Sequence, residues 1–175
     1  HGRCVFRDRF AAQLLMSAVF CALPCDPAVL ALIADSYQRL LGESLVPADV
    51  SSSAAAEWLY AEAPFCLLAH ERAPDPRFLF ANLAAQRCFE YGWHEFVGLP
   101  SRLSAAAPDR DEREALLASV ARQGFATGYR GLRIAKSGRR FWIEDVTVWN
   151  LIDAAGEVQG QAAAYRRITP VETPG

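Results

Sequence analysis

The sequence predicts an α+β fold in which a five-stranded antiparallel sheet carries helices on one face and an N-terminal helix on the other. The chain has 175 residues, of which 52% are hydrophobic and 22% charged, and this suits one domain with a sizeable core. Strand-like runs occur in two groups joined by turn signals, and helical patterns lie before and between them. Because the strands within each group are joined by short turns, they are expected to pair antiparallel.

The first element is an amphipathic helix. Asp26 is the expected N-cap, Pro27 the first helical residue and Gly42 the residue that ends the helix. Its apolar stripe must pack on another part of the protein. The stripe comprises Val29, Leu30, Ile33, Tyr37, Leu40 and Leu41. A short Ala-rich helix that carries Trp58 follows and is expected to end at Pro64.

Two strands and three helical segments occupy the middle of the chain. The strands are predicted at 65–70 and 77–81, and the turn Ala73-Pro-Asp-Pro76 joins them into a hairpin. Helical patterns follow at 83–90, 93–97 and 108–123. The last of these has acidic residues at its start and Arg122 at its end, as the helix dipole favours.

A three-stranded meander completes the domain. Strands are predicted at 127–135, 140–152 and 157–167, with turns at 136–138 and 153–156. Strict alternation along the middle strand places Phe141, Ile143 and Trp149 on one face, and Trp142, Val146 and Val148 on the other. Both faces are therefore apolar and must be covered. The N-terminal helix is the natural cover for the second face, and a dimer partner is the alternative.

The remaining sequence features delimit the domain and exclude several classes of function. A single domain is expected at 26–168, with an N-terminal extension at 1–25, interpreted as tag or upstream sequence, and a flexible tail at 169–175. A net charge of -2 gives no support for nucleic-acid binding. The apolar run after Phe10 is too short to span a membrane, and no metal-ligand spacing occurs. Five cysteines without framework spacing indicate free thiols and a cytoplasmic location.

Several motifs resemble those of PAS domains. They are Asn82 after the second strand, the stretch Phe89–Gly98, the hairpin Lys136–Trp142 and the turn Asp153–Gly156. A closer resemblance is to the MEKHLA domain family, a PAS-like group found as small bacterial proteins and at the C-terminus of plant homeodomain and leucine-zipper transcription factors. This resemblance runs from Asp26 to about Tyr165. The residues that carry it are Ser36-Tyr37, Trp58 with Ala63-Pro64-Phe65, Pro76 with Phe78–Asn82, Pro100–Ala105, Gln123–Phe125 and Val148–Asn150.

The resemblance implies a sensory or protein-interaction module without catalysis, of the small bacterial kind, with a ligand cavity between sheet and helices. Flavin photochemistry is disfavoured, because Ser101 stands where light-sensing relatives have a reactive cysteine. Haem is disfavoured because the helix at 108–123 contains no histidine, and His70 and His94 are expected to be structural. No cofactor is therefore expected.

The candidate pocket follows from strand alternation and from the PAS resemblance. We expect it to include Phe80, Asn82, Phe89, Trp93, Arg102, Leu103, Arg133, Ile143, Asp145, Trp149 and Tyr165. Arg133 is expected to face the cavity, where it either pairs with Asp145 or binds an anionic ligand. The tryptophans and phenylalanines are expected to be mainly core.

Two functional hypotheses remain at this point. In the first, a small ligand or a protein partner shifts the N-terminal helix on the sheet, and that helix also serves a homodimer. In the second, the protein is an isomerase or hydrolase-like enzyme that uses Asp145 as a base in an apolar, cone-shaped cavity.

Overall fold

The computed structural model describes residues 24–106 and 110–172. The helices are α1 (Pro27–Leu41), α2 (Ala55–Glu57), α3 (Leu83–Phe89), α4 (Trp93–Phe96) and α5 (Arg110–Gln123). A π-helical turn, Trp58–Glu62, continues α2, and a short 3₁₀ helix spans Ser101–Ser104. The strands are β1 (Cys66–Glu71), β2 (Phe78–Ala81), β3 (Phe125–Ile134), β4 (Arg140–Ile152), β5 (Val158–Tyr165) and β6 (Arg167–Pro170). Residues 1–23 of the predicted extension, Pro108 at the predicted start of the last helix, and residues 173–175 of the predicted tail lie outside the described residues.

The five predicted strands form an antiparallel sheet in the order β2-β1-β5-β4-β3. The sixth strand, β6, was not predicted and begins at Arg167, so that the predicted tail starts inside it. β6 pairs with the first half of β4, from Phe141 opposite Pro170 to Glu144 opposite Arg167. β6 can pair there because β4 has 13 residues, whereas β5 pairs only with Thr147–Ile152. Without β6, that edge of β4 would leave its backbone groups unpaired.

Helix α1 covers one face of the sheet, as predicted. Asp26 caps it by accepting a 2.9 Å hydrogen bond from the Ala28 amide, and Gly42 ends it with φ of 76°. The indole Nε1 of Trp149 in β4 donates to the carbonyl of Ile33 at 3.1 Å. The Tyr37 ring meets the same indole edge-on, with 4.8 Å between ring centroids.

A second contact fixes the end of α1 to the end of β4. The Ser36 hydroxyl is fully buried; its Oγ accepts from the Ile152 amide at 2.8 Å and donates to the Ile152 carbonyl at 3.3 Å. Ser36, Tyr37 and Trp149 are among the residues that carry the resemblance to the MEKHLA family. Three of those residues thus hold the helix on the sheet.

The sheet separates two hydrophobic clusters. The cluster beneath α1 contains Val29, Leu30, Ile33, Leu59, Leu67, Phe80, Trp149 and Leu151. The cluster on the other face contains Cys66, Leu68, Phe78, Cys88, Phe89, Phe96, Val120, Phe141, Ile143, Val146, Val148 and Tyr165. The apolar stripe of α1 therefore packs on the sheet of the same chain, with Val29, Leu30 and Ile33 buried and Tyr37, Leu40 and Leu41 partly buried.

A β-bulge in β4 corrects the predicted alternation. Gly131 lies opposite Ile143 and Tyr129 opposite Val146, so one residue of β3 faces Glu144 and Asp145 together. Asp145 adopts φ of 53°, which aspartate tolerates better than most residues. The bulge shifts the pattern by one residue. Val146 and Val148 therefore join Phe141 and Ile143 on one face, and the predicted grouping of Trp149 with Phe141 and Ile143 is wrong.

Candidate functional site

A small cavity lies between the sheet and the segments that follow β2, on the face opposite α1. Its volume is about 80 Å³. Strands β1, β3, β4 and β5 supply its floor, and α5 and the 3₁₀ helix supply its cover. Most of its wall is apolar. The apolar and aromatic lining includes Leu68, Phe78, Phe89, Leu116, Leu117, Ile143, Val146, Val148, Ala163 and Tyr165.

The cavity adjoins an outer pocket of about 340 Å³, and the boundary that the two spaces share is called the neck here. Four side chains line both spaces and define the neck: His70, Arg113, Leu117 and Gln161. His70 near the end of β1 and Gln161 in β5 lie directly opposite each other in the antiparallel ladder. Such pairs project to the same side of the sheet, with their Cβ atoms roughly 5 Å apart. The neck therefore brings two polar side chains together on the cavity face of the sheet.

His70 presents a hydrogen-bond acceptor at the neck. Its Nδ1 lies 2.9 Å from the Glu71 carbonyl, which can only accept, so Nδ1 carries the proton. Burial lowers the pKa of His70 below its ordinary value. The imidazole is therefore neutral near pH 7, and its Nε2 is an acceptor.

A hydrogen-bond relay holds the Gln161 amide beside the neck. The Asn150 amide nitrogen donates to the Val120 carbonyl at 3.3 Å, which leaves the Asn150 Oδ1 to accept from Gln161 Nε2, also at 3.3 Å. This relay fixes the orientation of the Gln161 amide. Its Oε1 is buried and finds no hydrogen-bond donor among the described residues.

Two arginines bring positive charge to the cavity. Arg113 in α5 donates from Nη2 to the hydroxyl of the buried Ser101 at 3.1 Å. Arg133 in β3 donates from Nη1 to the Leu132 carbonyl at 2.9 Å and from Nη2 to the Tyr129 hydroxyl at 3.4 Å. Gly131 makes room for this arrangement, since a Cβ there would lie 2.7 Å from the Tyr129 hydroxyl and 2.8 Å from Arg133 Nη1.

The inner end of the cavity is closed by Tyr165, whose hydroxyl donates towards the Cys88 sulfur at 3.9 Å. Burial raises the pKa of Tyr165, so the phenol stays protonated. The hydrogen bond to Cys88, together with burial, raises the pKa of the Cys66 thiol. Neither Tyr165 nor Cys66 is therefore suited to act as a base or a nucleophile near neutral pH, whereas the hydrogen bond with Cys66 lowers the pKa of Cys88.

Four of the predicted site residues line the cavity: Phe89, Arg133, Ile143 and Tyr165. The structure places the other seven elsewhere: Phe80, Asn82, Trp93, Arg102, Leu103, Asp145 and Trp149. Arg102 is exposed and forms an ion pair with Asp75 at 3.1 Å, and Leu103 is an exposed apolar residue. Trp149 lies beneath α1 because the bulge turns it away from the cavity.

Asn82, Phe80 and Trp93 have structural roles on the side of the sheet that α1 covers. The Asn82 side chain accepts from the amides of Leu67 and Ala85, and donates to two backbone carbonyls, those of Leu59 and Phe65. It thereby caps α3 and ties that helix to β1. Phe80 and Trp93 meet edge to face, with 5.8 Å between ring centroids.

Asp145 lies outside the cavity, which corrects two expectations. It is exposed and lines a separate groove beside Tyr37, Arg166 and Arg167. The predicted ion pair between Arg133 and Asp145 is therefore wrong. The proposed catalytic base also lacks the apolar surroundings that such a role would need.

Sequence reasoning missed Tyr129 and Gln161, although alternation contained the signal. Tyr129 lies four residues before Arg133 in β3, and Gln161 four residues before Tyr165 in β5, so each shares a face with a residue that was expected in the cavity. Arg113 and His70 carried no comparable signal, since their positions depend on how α5 and the neck pack.

Comparison with known families identifies the domain. A family model of the MEKHLA domain matches residues 28–170, which is most of the chain. The chain belongs to the MEKHLA domain family. The match covers every element from α1 to β6, so α1 is part of the MEKHLA domain.

Solved structures that resemble this MEKHLA domain include PAS domains. A PAS domain from Colwellia psychrerythraea matches with a TM-score of 0.53 and 18% identity, over 61% of this chain and 88% of that one. A PAS domain from a two-component sensor histidine kinase matches with a TM-score of 0.51 and 18% identity, over 65% and 93%. An RNA-binding light-oxygen-voltage receptor matches with a TM-score of 0.56 and 22% identity, over 70% of this chain but 34% of that one. At these identities the likeness establishes the PAS-like fold.

Three further searches give negative results. No protein of curated function matches significantly. Within the part of the chain that the structure describes, no helix combines the length and apolar character needed to cross a membrane. Over the same residues, no three histidine, cysteine or carboxylate side chains come together as a metal site would require.

Proposed function

We propose that this MEKHLA domain is a non-catalytic sensory or interaction module that binds a small molecule in the cavity between the sheet and α5. The observation that carries the proposal is the form of the cavity, whose wall is mostly apolar and includes a few polar side chains, among them His70, Arg113 and Gln161 beside the outer pocket. Binding sites for small molecules have this form, with a few polar groups that orient the ligand. The enzyme hypothesis has no comparable support, because Asp145 lies outside the cavity.

The residues present do not fit a flavin or haem. The cavity measures about 80 Å³, whereas sites for larger ligands typically measure about 300–1,000 Å³. Ser101, at the position of the reactive cysteine of light-sensing relatives, bonds to Arg113, and a hydroxyl there lacks the nucleophilicity of a thiolate. We therefore propose that the domain works without either cofactor. The free, buried Cys66 and Cys88 support a reducing compartment, for which we propose the cytoplasm.

The link to a partner would pass through β4 and β5 to α1. Val148 lines the cavity, and its neighbour Trp149 contacts α1 from the other face of the same strand. A ligand that binds more tightly to one arrangement of β4 would shift the population of α1 positions. The surface that α1 exposes would then report occupancy to a partner.

A cavity-filling variant tests the proposal. Ala163→Leu adds three carbon atoms to the cavity wall, and Ala154→Leu adds the same atoms to an exposed turn. Native mass spectrometry and a thermal-shift screen of small molecules should detect a ligand with wild type and with Ala154→Leu, but not with Ala163→Leu. If urea unfolding shows that Ala163→Leu is poorly folded, Ala163→Val replaces it.

Hydrogen exchange in α1, with and without that ligand, should differ in wild type. The proposal is overturned if wild type neither retains nor binds any compound of the screen, or if Ala163→Leu binds as well as wild type.

A further inference from the structure

Two free cysteines meet on the face of the sheet that carries the cavity. Cys66 is the first residue of β1, Cys88 lies in the last turn of α3, and both belong to the hydrophobic cluster on that face. The Cys66 thiol donates a hydrogen bond to the Cys88 sulfur. Tyr165 lies directly opposite Cys66 in the ladder of β1 and β5, and its hydroxyl donates towards the same sulfur at 3.9 Å. The Cys88 sulfur therefore accepts from two donors.

The surroundings of Cys88 favour a negative charge on its sulfur. The hydrogen bond from Cys66 lowers the pKa of Cys88, and the Tyr165 hydroxyl and the charge of Arg139 act in the same direction against the effect of burial. The pKa of Cys66 is raised by the same hydrogen bond and by burial. Because the thiolate and not the thiol attacks an electrophile, Cys88 is the nucleophile of the pair and Cys66 is its protonated neighbour.

Burial limits the size of the molecule that can react with this pair. Cys66 is 5% exposed and Cys88 is 9% exposed. The Arg139 side chain, which is 46% exposed, donates from Nη2 to the Cys88 carbonyl at 2.7 Å, so Cys88 lies one side chain below the surface. Hydrogen peroxide is little larger than water and suits such a position, whereas a bulky oxidant such as glutathione disulfide does not. Oxidation of a thiolate by peroxide gives a sulfenic acid, which condenses with a nearby thiol.

We propose that Cys66 and Cys88 form a dithiol site that hydrogen peroxide oxidises to a disulfide. The Cys88 sulfur attacks one peroxide oxygen and the O–O bond breaks, which leaves a sulfenic acid on Cys88. The second oxygen departs as hydroxide and takes up the proton that Cys88 released. The Cys66 sulfur then attacks the Cys88 sulfur, the S–O bond breaks, and the oxygen departs as water with the Cys66 proton. Two thiols and one peroxide thus give one disulfide and two water molecules.

The disulfide would join the start of β1 to the end of α3. Its sulfur atoms lie about 2.05 Å apart, so the two side chains, already joined by a hydrogen bond, must rotate towards each other. The bond would also change the acceptor of the Tyr165 hydroxyl, and Tyr165 lines the cavity. The inference goes beyond the proposed function, since the reaction requires no ligand in the cavity.

Peptide mapping by mass spectrometry tests the site in the 175-residue chain. The reduced protein is treated with a small excess of hydrogen peroxide, and the remaining thiols are alkylated after unfolding. Cys25 is the internal reference, because it is more exposed than the pair, while burial and the charge of Glu57 raise its pKa. We expect a peptide pair linked through Cys66 and Cys88 that forms at least about tenfold faster than Cys25 is oxidised, because more of Cys88 is thiolate.

Three variants separate the roles of the two cysteines. Cys66→Ser keeps a hydrogen-bond donor beside Cys88, so Cys88 should still react and should be trapped by dimedone as a sulfenic acid. In Cys88→Ser, Cys66 should stay reduced. Cys25→Ser is the control and should form the linked pair at the wild-type rate. Urea unfolding checks that each variant is folded, and the wild-type map decides the inference if a variant is not.

Three results would overturn the inference. One is a wild type in which Cys66 and Cys88 stay reduced while Cys25 is oxidised. Another is a linked pair that forms as fast in concentrated urea, where the folded arrangement is lost. The third is a Cys88→Ser variant in which Cys66 is oxidised as fast as the wild-type pair. The ligand screen of the reduced protein tests the proposed function separately, so either proposal can fail while the other stands.

Discussion

Ser36→Ala removes one oxygen that joins α1 to the end of β4. The Ser36 Oγ makes both of its hydrogen bonds to the backbone of Ile152, at 2.8 and 3.3 Å, and Ser36 is 0% exposed. Alanine leaves the Ile152 amide without that partner in a site with little access to water. The expected loss in the free energy of unfolding is about 1–3 kcal/mol, the cost of one unsatisfied buried group.

The assay is urea unfolding followed by tryptophan fluorescence, because Trp149 lies beneath α1. For a protein of this size the urea midpoint should fall by about 0.5–1.5 M, with an unchanged slope. Ser44→Ala is the control, since its exposed hydroxyl bonds to the nearby Val46 carbonyl, and it should cost less than about 0.5 kcal/mol. Equal midpoints for the two variants would refute the reasoning that Ser36 anchors α1.

Three other predictions test the neck and its supports. Gly160→Ala places a Cβ 2.1 Å from the His70 carbonyl oxygen and should lower the free energy of unfolding by about 1–3 kcal/mol or more. The measurement is urea unfolding, and an unchanged midpoint would contradict the close approach of β1 and β5. Burial lowers the pKa of His70, so the unfolded chain takes up the proton first as the pH falls below about 6.5. Acid should therefore lower the urea midpoint of wild type more than that of His70→Asn. Equal losses of midpoint in the two proteins would exclude His70 as a cause. Gly131→Ala should displace the ends of the Tyr129 and Arg133 side chains, which line the cavity, at a stability cost below about 1 kcal/mol. It should weaken binding of a ligand found in the thermal-shift screen, and an unchanged affinity would mean that this part of the wall does not contact the ligand.

The sequence predicted most of the fold because local signals and long-range packing agree. Asp26, Pro27 and Gly42 bound α1 by capping chemistry that requires no partner. The strands of the meander are bounded by turns whose glycines, at 138 and 156, adopt positive φ. β6 could not be predicted in this way. β6 forms on the edge of β4 that β5 leaves unpaired, and the register between β4 and β5 determines the extent of that edge.

The site was predicted less completely because it depends on one irregular residue and on packing. Alternation works only along a regular strand, and the bulge at Asp145 moves Trp149 to the α1 side and brings Val146 and Val148 into the cavity. An Asp residue within a strand is expected both at a regular exposed position and at a bulge, so the sequence alone does not distinguish the two. Arg113 reaches the neck from α5, and its place follows from how that helix packs on the sheet.

Ile143 offers the most direct test of the claim that the cavity is the ligand site. Of the five isoleucines in the chain, Ile143 lines the cavity, Ile33 lies beneath α1 and Ile168 is 38% exposed on β6. The isoleucine methyl groups can be followed by NMR while a ligand found in the thermal-shift screen is added. We expect a saturable shift of the Ile143 methyl resonance with no direct shift at Ile168. An Ile143 resonance that stays fixed at saturating ligand, or a shift confined to Ile168, would contradict that claim.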